Sequence, residues 1–274
     1  MKIAVAGKGG AGKTTIAATL ARLLGRTGFN VLAIDADPAM NLAAALGLLP
    51  SVAKTIVPIS DNPDLIEERT GARPGDTSGA VFNLTPQVED LASKYGVAAR
   101  DNTALLVLGT VKSADSGCMC PANALLRALL RHLLLHKGEA VVMDMEAGLE
   151  HLGRGVIRGV DAVLAVLEPR PSSVHVYRNI STLAGQLGIR AVMPIGNKIV
   201  DKTEEEFLRH EVEASGNRLV ASIPYDEDIV NAEMSHEALL DFAPSAPSVR
   251  VIDNLRQMLA ESLASGVEAP SDFS

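Results

Sequence analysis

Residues 7–15 read Gly-Lys-Gly-Gly-Ala-Gly-Lys-Thr-Thr, directly after the apolar run Ile3-Ala4-Val5-Ala6 and at the head of a helical pattern. A chain carrying this string folds around it. The glycines let the backbone wrap a phosphate, and the strand before and the helix after hold the loop in place. Gly7, Gly9 and Gly12 taken alone also satisfy the dinucleotide pattern G-x-G-x-x-G, with Asp35 closing the next strand where that fold wants an acid. Lys13 and Thr14 separate the two readings. A lysine in the first helical turn supplies a charge to the β- and γ-phosphates, and the neighbouring hydroxyl can ligate Mg²⁺. A dinucleotide site needs neither. Gly9, Gly10, Ala11, Gly12, Lys13, Thr14 and Thr15 are therefore assigned to the P-loop of a nucleotide site.

Short apolar runs near residues 2–6, 31–34, 105–108, 140–144, 162–167, 191–195 and 219–223 alternate with helical patterns. This predicts an α/β fold, a mostly parallel central sheet flanked by helices on both faces. Hydrophobic residues make up 47% of the chain but aromatics only 3%, with no Trp, so the core must be aliphatic. A single domain is expected over residues 1–264, with a flexible tail at 265–274. Residues 50–104, rich in Pro, Asp, Gly and Thr, read as a long insertion with a helical piece at Asp64–Thr70. That segment is either an elaborated surface or a docking face. The net charge of −8 argues against nucleic acid or anionic lipid as an indiscriminate partner. No apolar run reaches bilayer length, and the longest helix is expected near 121–136, interrupted by Arg127, Arg131 and His132. A strand starting at Lys2 leaves no room for a signal peptide, and the two cysteines are too close for an intrachain disulfide. A cytoplasmic location is the expectation.

Carboxylates close two of the strands. Asp37, after Ile34-Asp35-Ala36, is placed where an attacking water would be oriented, with Asp35 beside the Mg²⁺ or the loop. The plainer alternative is N-capping of the next helix by Asp37 or Asn41. Asp144, closing Ala140-Val141-Val142-Met143, has the pattern of a residue that holds Mg²⁺ through water together with Thr14. Met145-Glu146-Ala147-Gly148 then reads as a switch; Glu146 and His151 are acid/base candidates, but phosphoryl transfer depends on positioning and charge, so they are read as serving the switch or an interface. For the base, Asn197 and Lys198 follow the strand at 191–195, and Pro224, Tyr225 and Asp226 wall the pocket. A guanine site of the Asn-Lys-x-Asp kind needs an acid at position 200, which is Val200, so adenine is favoured. A strand-end turn is the bland account of Asn197.

Lys8 is a second lysine in the loop. It is either a solvated surface lysine or a charge offered in trans to the nucleotide of a second subunit. The second reading requires a homodimer. Gly117-Cys118-Met119-Cys120-Pro121 precedes a leucine-rich helix. Thiols at a helix N-terminus favour thiolate, and Cys118 and Cys120 of two subunits together would give a closed soft-metal site. Buried apolar cysteines are the alternative. His132 and His136 read as a solvated helix face.

Lys8-Gly9-Gly10-Ala11-Gly12-Lys13-Thr14 resembles the deviant Walker A loop of the MinD/ParA/nitrogenase iron-protein group of dimeric P-loop ATPases. Within that group, Asp144-Met145-Glu146-Ala147-Gly148, Glu150-His151-Leu152-Gly153-Arg154-Gly155 and Cys118-Met119-Cys120-Pro121 resemble the CooC-type nickel-insertion accessory ATPases of carbon monoxide dehydrogenase. The resemblance runs from Met1 to about Leu263. It implies ATP hydrolysis by a dimer whose paired cysteines bind Ni²⁺ or Zn²⁺ at the interface, with nickel delivered to carbon monoxide dehydrogenase or a related nickel enzyme. The residues carried over are Lys8, Lys13, Thr14, Asp37, Asp144, Cys118 and Cys120. An iron–sulfur scaffold or electron-transfer ATPase of the nitrogenase iron-protein type is the alternative. A positioning ATPase of the MinD/ParA type would want a basic C-terminal helix, and residues 249–264 carry only Arg250 and Arg256 against Asp253 and Glu261.

Overall fold

Short Val-, Ile-, Leu- and Ala-rich runs form one eight-stranded sheet with the spatial order β3-β4-β2-β5-β1-β6-β7-β8. The computed structural model describes residues 1–37, 39–75, 82–109, 121–133, 137–145, 160–189 and 191–264. In chain order the first half comprises β1 (Lys2–Gly7), α1 (Lys13–Arg26), β2 (Asn30–Ala36), α2 (Leu42–Ala45), α3 (Pro50–Ala53), a 3₁₀ turn (Ile59–Asp61), α4 (Pro63–Thr70), α5 (Leu91–Tyr95), β3 (Val97–Ala98) and β4 (Thr103–Val107). The second half comprises α6 (Pro121–His132), β5 (Glu139–Met145), β6 (Ala162–Leu167), α7 (Pro171–Leu187), β7 (Ala191–Ile199), α8 (Lys202–Glu213), β8 (Ala221–Pro224), α9 (Glu227–Met234), α10 (Leu239–Phe242) and α11 (Pro247–Ala264). Every strand pair is parallel except β3 with β4. The predicted fold class is the observed one.

Side chains of each strand alternate between two cores. Ala4, Ala6, Val141 and Met143 face a layer that includes α4, α6, α7 and α8. Ile3, Val5, Ala140 and Val142 face a layer built from α1, α2, α10 and α11. Both faces are covered, which is why these strands are apolar throughout rather than alternating with polar residues. Arg22 of α1, fully buried, donates to Asp101 Oδ2 at 2.7 Å and to both oxygens of Asp241 at 2.8 and 2.7 Å. A buried guanidinium needs such partners. The contacts tie the helix that begins at the phosphate loop to the turn before β4 and to α10.

Three expectations are corrected. The segment 50–104 is not only surface: Ile59, Leu65, Ile66, Val88 and Leu91 are buried in the first core, and α4 packs on α6. Its weak periodicity reflects elements too short to show a repeat. The helix expected at 121–136 ends at His132, and the longest described helix is α11, with 18 residues. Finally, β7 runs four residues past its expected end, to Ile199, which pairs with Pro224 of β8 beyond a shift in register. Cys118, Cys120, Glu146 to Gly155, His136 and the tail at 265–274 lie outside the described residues, as does the side chain of His132.

Candidate active site

With β1 between β5 and β6, the loop 7–12 emerges at the centre of the carboxyl edge of the sheet. The strand order places β2 and β6 on opposite sides of it, the usual place for a ligand crevice. Gly10 and Gly12 take left-handed backbone, with φ of 79° and 92°. A Cβ on Gly12 would sit 2.3 Å from Asn197 Nδ2. Ala11 is buried under the loop, and its N–H returns to the Lys8 carbonyl at 3.1 Å. No side chain caps the N-terminus of α1. Its first N–H groups therefore remain available to an anion, and the helix dipole favours one there.

Lys13 is 5% exposed, and its ammonium makes a long contact of 3.4 Å to the Lys8 carbonyl. Thr14 Oγ1 donates to Asp144 Oδ2 at 2.6 Å. Asp144 Oδ1 is buried with no hydrogen-bond partner among the described residues. Burial pushes the Asp144 carboxyl up to about 7; the charge of Asp35 adds to this, and the Thr14 hydroxyl and Lys13 oppose it. A buried carboxylate with one free oxygen beside a threonine hydroxyl fits Mg²⁺ in chemistry. Thr14 and Asp144 would hold that ion, and it would neutralise charge on the phosphates.

Asp35 pairs in register with Asp144 on the adjacent strand and is also fully buried. Its two oxygens accept from the N–H groups of Asp37 at 3.1 Å and Leu42 at 3.0 Å. Burial raises its carboxyl to about 6 against the lowering effect of these two bonds. Asp35 thus caps α2 and shapes the loop that carries Asp37. The sequence offered Asp37 or Asn41 for that cap. Asn41 makes no side-chain cap bond, and Asp37 Oδ1 instead accepts from Ala39 N at 2.8 Å. Asp37 remains on the cleft wall.

A cleft of about 1070 Å³ opens from the loop. Gly9, Gly10, Gly12, Lys13, Thr14 and Thr15 line one end of it. Asn197, Lys198, Pro224, Tyr225 and Asp226 line another part. Asn197 is buried and donates Nδ2 to the Ala11 carbonyl at 2.7 Å, while its Oδ1 has no partner. Asp226 caps α9 through Asp228 N and accepts from Ser248 N at the start of α11. Its carboxylate is a clamp within the pocket wall. Lys198 Nζ donates to the Gly10 carbonyl at 2.6 Å and to Glu168 Oε1 at 2.9 Å. Lys8 does not line the cleft; its ammonium donates to Ser172 Oγ, on the first turn of α7, at 2.8 Å.

Three residues here had not been singled out from sequence. Ser248 Oγ is fully buried, without a partner, on the cleft wall. Glu168 and Ser172 receive the two lysines. Glu168 is an acid just past a strand, the same signal that marks Asp37; the two serines carry no signal of their own. Among the described residues no group of three or more His, Cys, Asp or Glu is arranged to hold a metal ion. No described helix is long and apolar enough to cross a membrane.

Residues 2–240 match the family described as the CobQ/CobB/MinD/ParA nucleotide binding domain. An uncharacterized ATP-binding protein of Methanocaldococcus jannaschii is 46% identical over 233 residues, covering 85% of this chain and 88% of its own. The carbon monoxide dehydrogenase accessory protein CooC of Rhodospirillum rubrum is 42% identical over 245 residues, covering 89% and 91%. Among solved structures, the septum site-determining protein MinD of Pyrococcus horikoshii, complexed with Mg-ADP, superposes with a TM-score of 0.68 at 19% identity, covering 98% of each chain. At that identity the likeness speaks to fold alone.

Proposed function

The chain belongs to the CobQ/CobB/MinD/ParA nucleotide-binding family, and from that membership we propose that it is an ATPase accessory to carbon monoxide dehydrogenase, handling nickel as its cargo. The observation that carries this reading is the 42% identity to CooC over 89% of the chain. The pair Cys118 and Cys120 supplies the chemistry a soft-metal cargo needs.

In this reading the loop N–H groups and Lys13 bind the β- and γ-phosphates, and Asp37 orients the attacking water from the cleft wall. The positioning of the triphosphate, rather than covalent chemistry by the protein, lowers the barrier. Asn197 Oδ1, buried and unpartnered, accepts a hydrogen bond from the amino group of adenine, and Pro224 and Tyr225 flank the base. Lys8 leaves Ser172 and crosses to the nucleotide of a second copy of the chain. Two chains then close face to face, and four thiolates from the two Cys118/Cys120 pairs bind Ni²⁺, with Zn²⁺ as a competitor of similar chemistry. Hydrolysis reopens the pair and releases nickel toward the client enzyme.

Substitution Lys8→Ala tests the trans contact. It should lower ATP turnover by about a hundredfold or more, with ATP affinity changed little, as measured by phosphate release and calorimetry. Unchanged turnover removes the trans lysine from the account.

A further inference from the structure

The end of β7 departs from regular strand geometry. Its register with β8 shifts between Gly196 and Ile199, and Lys198 lies in the left-handed region with φ of 61°. Non-glycine residues seldom occupy that region. In a regular strand, consecutive side chains leave opposite faces. Here Asn197 and Lys198 both reach the phosphate loop. Asn197 Nδ2 holds the Ala11 carbonyl at 2.7 Å, and Lys198 Nζ holds the Gly10 carbonyl at 2.6 Å. Two consecutive residues grip two consecutive carbonyls. Drawn toward these donors, the two oxygens are kept from turning toward an anion held by the loop.

Lys198 has a second partner. Its ammonium donates to Glu168 Oε1 at 2.9 Å, and Glu168, just past β6, has a side chain only 14% exposed. Lys198 lines the cleft, so the polyphosphate would feel its charge unless something offset it. Glu168 offsets it. Lys13 already serves as the loop's own cation, and a second uncompensated ammonium would hold the product diphosphate too tightly for turnover.

We propose that Lys198 and Glu168 are positioning residues with opposite effects on nucleotide affinity, an inference that rests on the ATPase reading above. Lys198 keeps the Gly10–Ala11 carbonyls turned from the phosphates. Glu168 tempers the lysine's charge so that the diphosphate leaves. A purely architectural ion pair would behave differently, since removing either partner would weaken binding alike.

The test measures Mg-ADP and Mg-ATP affinity, together with steady-state turnover, on the full chain and three variants. Lys198→Met should weaken both nucleotides by about tenfold, the scale of one lost hydrogen bond to a charged group. Lys198→Arg, which keeps charge and donors, should recover most of that loss. Glu168→Gln, with the same shape and no charge, should tighten Mg-ADP by about fivefold and lower kcat as product release slows. Weaker Mg-ADP binding in Glu168→Gln, or unchanged binding in Lys198→Met, overturns the inference while leaving the ATPase reading intact. If the unmodified chain binds neither nucleotide, the ATPase reading falls and this inference falls with it.

Discussion

Among the described residues, Asp144 and Asp35 are carboxylates whose chemistry burial changes strongly. They face each other in register on β5 and β2, both fully buried, and burial lifts their carboxyls to about 7 and about 6. An unfolded aspartate loses its proton near 4. The folded chain therefore holds protons that the unfolded chain has released, so the stability these groups contribute falls as pH rises above about 4 and is fully lost once pH has passed about 6 to 7. In the proposed site Mg²⁺ would take the ionised form of Asp144, so that binding Mg-nucleotide would displace its proton. Mg-ATP affinity should accordingly rise with pH up to and through about 7, with proton uptake by the buffer visible in calorimetry. Asp144→Asn should bind weakly and with a flat pH profile. A wild-type affinity that falls over the same window contradicts this assignment.

At the scale of elements, the phosphate loop is held by its neighbours as much as by its own glycines. Gly12 combines φ of 92° with a Cβ position 2.3 Å from Asn197 Nδ2. Gly12→Ala should therefore displace the Asn197 amide from Ala11 and abolish measurable nucleotide binding, while melting less than about 10 °C below wild type, because the strain is confined to one loop. The loop was legible from sequence because Lys13 and Thr14 are local signals, contiguous with the glycines. Asp144 was legible as an acid ending an apolar strand. The role of Asp35 was not, because its two bonds run to Asp37 and Leu42 through a loop whose path sequence does not dictate. Lys198 looked like a base contact; only the slip of β7 against β8 turns it onto Gly10. The segment 50–104 hid its core residues Leu65, Ile66 and Leu91 in helices of eight and five residues, too short for periodicity to emerge.

Across the whole molecule, the segments after β1 and β2, the end of β7 and the end of β8 line one crevice, and Cys118 and Cys120 precede α6 in the sequence. One chain has its own phosphate loop, yet its Lys8 rests on Ser172 and away from the cleft, and in the proposed function the two cysteines of one chain would supply only half of the metal ligands. The proposed function requires completion of both sites by a second copy of the chain. Light scattering with metal analysis, on the full chain given Mg-ATP and Ni²⁺ under reducing conditions, tests it most directly. A dimer carrying one nickel per pair of chains is expected, with the nickel lost in Cys118→Ser. A chain that stays monomeric with both ligands present, or a Cys118→Ser dimer that keeps its nickel, contradicts it.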